Sequence, residues 1–296
     1  MDGFLHDISW VLPLRSETAT HIANAFTWLG YPQFFIALLP VIYWLIDKNT
    51  ATRIAMVVIF TGVTNGLLKD IFDDPRPPGE IFALDGRVDK SYGMPSGHAQ
   101  VAFALWLWLA LELKQRWFWA VAIVFAFGVT LSRLYLGVHD VEDVLSGAAI
   151  GIGSIFLLRW FFSPTFNGWR AVNPAIQLCL ILGFEAVLWY AWPEEGGPGT
   201  KFAVGGMLLG WWMGVQLEQR NISYQRHPDW LTAIAATILG VIVIFLALPA
   251  IEPTLMAGGM EKHWARWAAY FVTAVWVTAA APVIFQWLGA ARKAET

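Results

Sequence analysis

The feature that most constrains this chain is a series of apolar stretches, each close to the length that crosses a lipid bilayer. A membrane-spanning helix needs about 20 mostly apolar residues. The chain is 57% hydrophobic and only 14% charged, whereas about a quarter of the residues in soluble domains are charged. The sequence therefore predicts an all-α, polytopic membrane helical bundle with about nine transmembrane helices. The predicted spans lie near residues 27–47, 52–68, 98–114, 117–137, 143–162, 174–192, 202–217, 230–249 and 266–289.

These spans divide the chain into three predicted regions. Residues 1–51 form an N-terminal interfacial segment and the first span, residues 52–170 form a core that holds the polar motifs, and residues 171–296 form a C-terminal transmembrane extension of unknown role. The first residues are acidic and mixed, without the basic start and apolar core of a cleavable signal peptide. Cys179 lies in an apolar run, which predicts neither a disulfide nor a thiolate metal site.

Charge in the loops predicts the orientation. If the spans alternate, one face carries ten Lys or Arg and five Asp or Glu. The opposite face carries nine Lys or Arg, three of which belong to the candidate site, together with sixteen acids. Because excess Lys and Arg mark the cytoplasmic side, we expect the N-terminus outside and the C-terminus inside. The expected compartment is a bacterial inner (cell) membrane, with the loop from Asp70 to Gly97 outside.

Three polar clusters fall at one depth on this outer face. The first is KDIFDDPRPP, which contains Lys69 at the end of a span and Arg76 in the following loop. The second is PSGH, residues 95–98, and the third is SRLYLGVHDVED, residues 132–143. A lone basic residue at a span end can simply extend its charge to the interface. The convergence of the clusters is what predicts a site.

Two histidines, His98 and His139, stand among these cations. His139 and Asp143 are four residues apart, which puts both side chains on one side of a helix if the span begins by His139. A carboxylate there takes the N–H of one ring nitrogen and leaves the other free as a base or nucleophile. Other acids near the site are predicted to be solvated loop charges: Asp73, Asp74, Asp140 and Glu142. The remaining histidines are predicted to be structural: His6, His21, His227 and His263.

The ligand that best suits three cations, backbone amides at a helix start and two histidines is a phosphate. Arg binds phosphate oxygens through two parallel hydrogen bonds, and Lys adds a point charge. The amides of Ser96, Gly97 and His98 at a helix start offer donors to an anion. Gly97 allows close approach of the backbone, and Pro95 prepares the turn into the helix.

The three clusters together resemble the three-part signature of the type 2 phosphatidic acid phosphatase (PAP2) superfamily. That superfamily includes lipid phosphate phosphatases, polyprenyl-diphosphate phosphatases, glucose-6-phosphatase and vanadium haloperoxidases. The matching residues are Lys69, six residues, then Arg76-Pro77; Pro95-Ser96-Gly97-His98; and Ser132-Arg133, five residues, His139, three residues, then Asp143. The resemblance covers about residues 52–162 and implies a PAP2-like core. The stretch GMPSGHAQ further resembles the polyprenyl- and dolichyl-diphosphate phosphatase branch, whereas nothing beyond residue 170 is recognised.

The resemblance implies a role for each motif residue. His139 would attack phosphorus to give a phosphohistidine, and Asp143 would orient it. His98 would protonate the leaving oxygen and then activate water. The remaining motif residues would hold the phosphoryl oxygens, with no metal and no cofactor implied: Lys69, Arg76, Ser96, Gly97 and Arg133.

The predicted function is removal of a phosphate or diphosphate from a membrane lipid at the outer leaflet. The expected substrate is a polyprenyl diphosphate, such as undecaprenyl diphosphate, or a phosphatidate-like lipid; the only expected partners are this lipid and the bilayer, without nucleic acid. One alternative is a phosphotransferase that passes the phosphoryl group to a second lipid. Another is a lipid transporter or binding protein, which is suggested by the C-terminal spans and by Glu185 within a span.

Overall fold

The computed structural model describes residues 3, 5–83, 91–163, 168–192 and 199–294. These residues are mostly helical, and the predicted all-α class is confirmed. Within the described ranges, six helices are long and apolar enough to cross a membrane, or seven if one bent pair counts as a single span. The predicted count of nine is therefore not confirmed. Residues 84–90 of the predicted outer loop lie outside the described residues.

The helices and strands are numbered along the chain. The helices of the first half are α1 (Glu17–Trp28), α2 (Pro32–Val41), α3 (Lys48–Phe72), α4 (Gly97–Leu113), α5 (Arg116–Tyr135), α6 (Val141–Phe161) and α7 (Gly168–Ala171). Those of the second half are α8 (Pro174–Ala191), α9 (Thr200–Leu217), α10 (Trp230–Leu246), α11 (Ile251–Ala257), α12 (Lys262–Val275) and α13 (Ala281–Trp287). π-Helical turns continue α2 (Ile42–Ile46), α9 (Glu218–Ile222) and α12 (Trp276–Ala280). Two short antiparallel strands, β1 (Tyr224–Arg226) and β2 (Ala291–Lys293), pair with Gln225 opposite Arg292.

By its internal contacts the chain forms two compact units. The first unit runs through residues 1–34 and 60–171, and the second through residues 35–59, 172–192 and 199–296. One division between the units falls after residue 171. Residues 35–59, in contrast, belong with the C-terminal unit rather than with the predicted N-terminal segment and core. Helix α3 therefore contributes to both units.

In the first unit, small residues bring α6 close to α4. A Cβ at Gly147 would stand 2.5 Å from the carbonyl oxygen of Ser96, and a Cβ at Gly151 would overlap the carbonyl oxygen of Gln100. Two glycines four residues apart allow helix backbones to pack closely in a membrane. The start of α4, which carries PSGH, is thereby held against the start of α6.

The predicted first span, residues 27–47, is broken in the structure. Helix α1 ends at Trp28, α2 begins at Pro32, and the pair is bent by 55°. The residue before a proline is disfavoured in the helical conformation, and Gly30 stands one position earlier, so the sequence LGYP accounts for the break. Residues between the two helices, including Tyr31, lie at the candidate site described below.

The second unit packs α12 against a row of glycines on α9. A Cβ at Gly206 or Gly210 would overlap a backbone carbonyl of α12. Glu185 on α8 is fully buried, and its Oε2 accepts a hydrogen bond from Trp267 Nε1 at 3.2 Å. The in-span acid that motivated a transport alternative thus has a tryptophan partner within the same unit.

Candidate active site

The centre of the candidate site is a buried histidine–aspartate pair at the start of α6. His139 Nδ1 lies 2.8 Å from Asp143 Oδ2, and the two side chains are 2% and 0% exposed. Helix α6 begins at Val141 rather than at His139. The pair forms nonetheless, because Asp140 caps the helix and Asp143 occupies the third helical position. This contact assigns the proton of the ring to Nδ1 and leaves Nε2 with a lone pair.

The loop after α3 brings Arg76 to that second ring nitrogen. Arg76 Nη1 donates to His139 Nε2 at 3.2 Å and to the carbonyl oxygen of Val138 at 2.9 Å. Its Nε and Nη2 donate to the carbonyl and hydroxyl oxygens of Ser91 at 2.7 and 2.9 Å. The guanidinium is therefore fixed on both sides, with its charge beside His139 Nε2, whose lone pair accepts one of its hydrogen bonds.

Lys69, in the last turn of α3, extends this positive surface. Its ammonium donates to the carbonyl oxygens of Tyr92 and Gly93, the latter at 2.9 Å. Gly93 in turn lies against the acid of the central pair, since a Cβ at Gly93 would stand 2.9 Å from Asp143 Oδ2. Gly93, two residues before PSGH, is thus positioned between a cation and Asp143.

The PSGH segment is tied directly to α6. The amide of Ser96 donates to the carbonyl oxygen of Asp143 at 2.9 Å, so it is already engaged, contrary to the prediction that it faces a ligand. The buried hydroxyl of Ser96 has no hydrogen-bond partner among the described residues. Asn65 Nδ2 donates to the carbonyl oxygen of Pro95 at 3.0 Å, and a Cβ at Gly97 would stand 2.9 Å from Asn65 Oδ1. Gly97 therefore permits a close approach that other residues would prevent.

His98 and Arg133 meet the break between α1 and α2. The rings of His98 and Tyr31 make an edge-to-face contact with centroids 4.8 Å apart, and a Cβ at Gly30 would stand 2.4 Å from Cδ2 of the same imidazole. His98 Nε2 and the Tyr31 hydroxyl are buried without a hydrogen-bond partner in the described part of the chain. Arg133 is buried near the end of α5 and donates to the hydroxyl of Thr27.

The electrostatics of His139 link all three clusters. Burial is the main cause that lowers the pKa of His139 well below its usual range, followed by the charges of Arg76, Lys69 and Arg133 and by His98. A buried neutral imidazole surrounded by fixed cations can act as a nucleophile toward an electrophile that carries negative charge. The predicted site residues therefore lie together in the first compact unit.

One acid near the site differs from its prediction. Asp140, expected to be a solvated loop acid, is buried, and its side chain accepts from the Asp143 amide at 2.9 Å. It is also 2.9 Å from His6 Nδ1, a histidine expected to be structural. Burial, and then the charge of Asp140, raises the pKa of Asp74. No sequence pattern could have indicated the His6 contact, since it joins residues 134 positions apart.

The described residues include no group of three or more His, Cys, Asp or Glu arranged to hold a metal ion. What they do provide is the buried His139–Asp143 pair, a second histidine, His98, whose Nε2 is buried, and three cationic side chains that act electrostatically on His139: Lys69, Arg76 and Arg133. Fixed cations beside imidazole rings favour the binding of an anionic group. Fold and site together define an all-α integral membrane protein in which cationic side chains lie near a buried histidine–aspartate pair.

The chain belongs to the PAP2 superfamily. Residues 50–166 match the model of that superfamily, and residues 202–293 match a model described as the PAP2 superfamily phosphatase transmembrane extension. The first match contains all three motif clusters. The second assigns to the same superfamily the C-terminal spans from residue 202 onward, which the motifs had left unrecognised.

Similar proteins include a mouse sphingosine-1-phosphate phosphatase 2, 31% identical over 62% of this chain and 56% of the relative. An Arabidopsis thaliana lipid phosphate phosphatase delta is 25% identical over 66% of this chain and 51% of the relative. The chain thus spans about half the length of these curated relatives. A crystal structure of a PAP2-type phosphatidylglycerolphosphate phosphatase from Bacillus subtilis is 24% identical, covers 52% of this chain and 81% of that one, and has a TM-score of 0.46.

Proposed function

We propose that this chain is a metal-independent lipid phosphate phosphatase in which His139 is the nucleophile. The observation that carries the proposal is the buried His139–Asp143 pair, whose remaining ring nitrogen faces Arg76. Asp143 fixes the ring and stabilises the cation that forms on it, as the acid does in triads of this kind. Because the pair is fully buried, its charge interactions are little screened by water.

The reaction follows from these groups in two balanced steps. With substrate bound, Arg76 donates to the phosphoryl oxygens and releases His139 Nε2, whose lone pair attacks phosphorus while the P–O bond to the lipid breaks. His98, protonated in this complex with the anionic substrate, gives its proton to the departing oxygen, so a lipid alcohol leaves. Neutral His98 then takes a proton from water as the water oxygen attacks phosphorus. The P–N bond breaks, inorganic phosphate leaves, and His139 is again neutral. Dividing the reaction through a covalent intermediate lowers each barrier.

The cations supply the electrostatic part of catalysis. Uncatalysed hydrolysis of phosphate monoesters is among the slowest reactions known, so roughly 20 kcal/mol or more of barrier must be removed. Fixed positive groups around the equatorial oxygens stabilise the charge that develops in the transition state, the part that Mg²⁺ plays in other phosphoryl transfers. Lys69, Arg76 and Arg133 have this role in the proposal, with the Ser96 hydroxyl and the Gly97 amide as neutral donors.

The proposed substrate is a lipid phosphate monoester with its head group at the membrane surface. The names of the curated relatives, sphingosine-1-phosphate and lipid phosphate phosphatases, favour a monoester over a polyprenyl diphosphate. The test is phosphate release by the purified chain from a panel: a sphingoid-base phosphate, a phosphatidate, a phosphatidylglycerol phosphate and a polyprenyl diphosphate. We expect turnover of at least one monoester, undiminished by EDTA. Loss of activity on chelation would contradict the metal-independent part.

The covalent intermediate can be tested separately. With a ³²P-labelled aryl phosphate, whose leaving group needs little acid assistance, His98→Ala should form the phosphohistidine but hydrolyse it slowly, so acid-labile label should accumulate on the protein. His139→Ala should form no phosphohistidine, so no label should become attached to the protein and no phosphate should be released. A His139→Ala protein that hydrolyses lipid at the wild-type rate would exclude His139 as nucleophile.

A further inference from the structure

A short N-terminal segment packs on the start of α6, beside the candidate site. We name residues 5–15 the N-terminal clasp. The carbonyl oxygen of Leu5 accepts from the Val141 amide at 3.0 Å, and Arg15 donates to the carbonyl oxygen of Ile81. Ile8 is fully buried against one residue from each of α4, α5 and α6: Ala99, Leu134 and Val144. The clasp therefore belongs to the packed core around the site.

His6 of the clasp is joined to the central pair by consecutive hydrogen bonds. His6 Nδ1 lies 2.9 Å from Asp140 Oδ2. Asp140 Oδ1 accepts from the Asp143 amide at 2.9 Å, while the Asp140 amide donates to Asp143 Oδ2 at 3.3 Å. That same Asp143 oxygen holds His139 Nδ1 at 2.8 Å. Three links thus separate a half-exposed histidine from the proposed nucleophile.

His6 also provides positive charge where acids gather. Besides Asp140, its ring faces Glu142, with 3.2 Å between Nε2 and Oε2, and Asp74 lies close enough to act on it. The hydrogen bond to Asp140 is the main cause that raises the pKa of His6. Without this ring, Asp140 would keep its negative charge beside Asp143 with one partner fewer. Asp143 would then be held less firmly, and the uncompensated negative charge would disfavour the approach of an anionic substrate.

We propose that His6 is a positioning residue for the reaction: it holds the Asp140 carboxylate so that the Asp140–Asp143 capping box keeps Asp143 on His139 Nδ1. The role rests on the proposed function, because it affects turnover only if His139 is the nucleophile. His6 itself does not touch the substrate. It acts through Asp140, in the way that partners behind a functional histidine orient the ring.

The decisive experiment is a double-mutant cycle of His6→Ala and Asp140→Asn, with kcat and KM measured on the lipid that the chain hydrolyses best. Asparagine keeps the helix cap but removes the charge. We expect His6→Ala to lower kcat about tenfold, the lower end of the effect seen when partners of metal-bound histidines are removed, with KM changed less than about twofold. In the Asp140→Asn background the same change should have almost no further effect, since both remove one interaction.

Two further variants separate positioning from simple structural support. His6→Gln keeps a donor without a titratable charge, so it should recover most of kcat. Since the pKa of His6 is raised, its positive charge is present at low pH and is lost as pH rises through that value. The wild type should therefore lose part of kcat on the alkaline side, and His6→Gln should lack this loss. His21→Ala, which removes an exposed histidine next to Glu17, is the matched control and should match the wild type throughout.

Independent effects of His6→Ala and Asp140→Asn, or a wild-type kcat in His6→Ala, would overturn the positioning role. So would equal losses in His6→Ala and His6→Gln that follow a fall in thermal stability. These outcomes differ from a failure of the proposed function: if His139→Ala remains active, the nucleophile assignment fails whatever His6 does. If His139→Ala is inactive and His6→Ala is normal, only the positioning role fails.

Discussion

The chemistry of the site depends most on the protonation state of His139. Burial is the first cause that lowers its pKa, and the charges of Arg76 and Lys69 follow. A free histidine has a pKa near 6.5. His139 is therefore neutral, and able to attack, at pH values at which a free histidine would be protonated. The fall of kcat/KM at low pH that follows protonation of His139 should therefore have its midpoint below about pH 6.5.

Removing one cation should move that limb. Since Arg76 favours the neutral ring, Arg76→Gln should raise the pKa of His139 and shift the acid limb of kcat/KM to higher pH. The pKa should return only part of the way to the value of a free histidine, because burial is the larger cause of its lowering. The measurement is the pH profile of both proteins with one substrate. The substrate's own second ionisation, near pH 6, is common to both, so the difference belongs to the enzyme. The control is Arg226→Gln, which removes a guanidinium stacked on Trp230 and should leave the pH profile unchanged. If the acid limb of kcat/KM does not move in Arg76→Gln, His139 is excluded as the titrating group.

At this scale the sequence predicts local contacts and misses distant ones. The spacing of His139 and Asp143 predicted their pairing, because four residues fix a short distance near a helix start. Thr27 contacts a residue 106 positions away and His6 one 134 positions away. Such pairs depend on how helices pack, and no periodicity along the chain encodes them. The engagement of the Ser96 amide by Asp143 was missed for the same reason.

Among the elements, the break between α1 and α2 has the clearest functional consequence. It presents Gly30 and Tyr31 to His98, and a Cβ at Gly30 would overlap the His98 ring. The signal for the break was present in LGYP, but a hydropathy window of span length averages over it.

The predicted span at residues 202–217 differs from the structure in another way. Helix α9 forms there, yet it is not among the six described helices that meet the criteria for crossing a membrane.

We expect Gly30→Ala to impair catalysis more than stability. Gly30 is outside the regular helices and does not have a positive φ, so alanine adds only its methyl group, which must displace His98. A displacement of about 1 Å in a catalytic group can cost about 10²-fold in rate, so a loss of kcat between about tenfold and 10²-fold is expected. Gly153→Ala is the control, because its added Cβ would have nothing within 4 Å. Normal kcat in Gly30→Ala would show that His98 can move without consequence.

For the whole molecule, the two units do not correspond to the predicted regions, and this affects where the chain can be cut. Tyr43 and Trp44 lie within the predicted first span, residues 27–47, but are buried in the second unit. Tyr43 donates to the carbonyl oxygen of Thr278, and Trp44 Nε1 donates to that of Val277 at 2.8 Å. Truncation after Ala171 would expose both aromatic side chains and leave their polar atoms without these partners.

The truncated chain, residues 1–171, should therefore aggregate in detergent rather than form an active core. Size-exclusion chromatography of a fluorescent fusion measures this directly. Co-expression of residues 172–296 should restore a monodisperse peak and phosphatase activity, because it returns the missing partners of Tyr43 and Trp44. A monodisperse, active chain of residues 1–171 would show that the second unit is dispensable for folding.

The orientation of the molecule is the remaining prediction at this scale, and it decides which leaflet supplies the substrate. The loop charges predict that the candidate site faces outward, with Glu80 outside and Gln115, between α4 and α5, in the cytoplasm. Both side chains are exposed. The only cysteine, Cys179, can be replaced by alanine, and a single new cysteine can then be placed at either position. A membrane-impermeant maleimide should label Glu80→Cys in intact cells but label Gln115→Cys only after permeabilisation. The reverse labelling pattern would show the opposite orientation and would assign the site to lipids of the cytoplasmic leaflet.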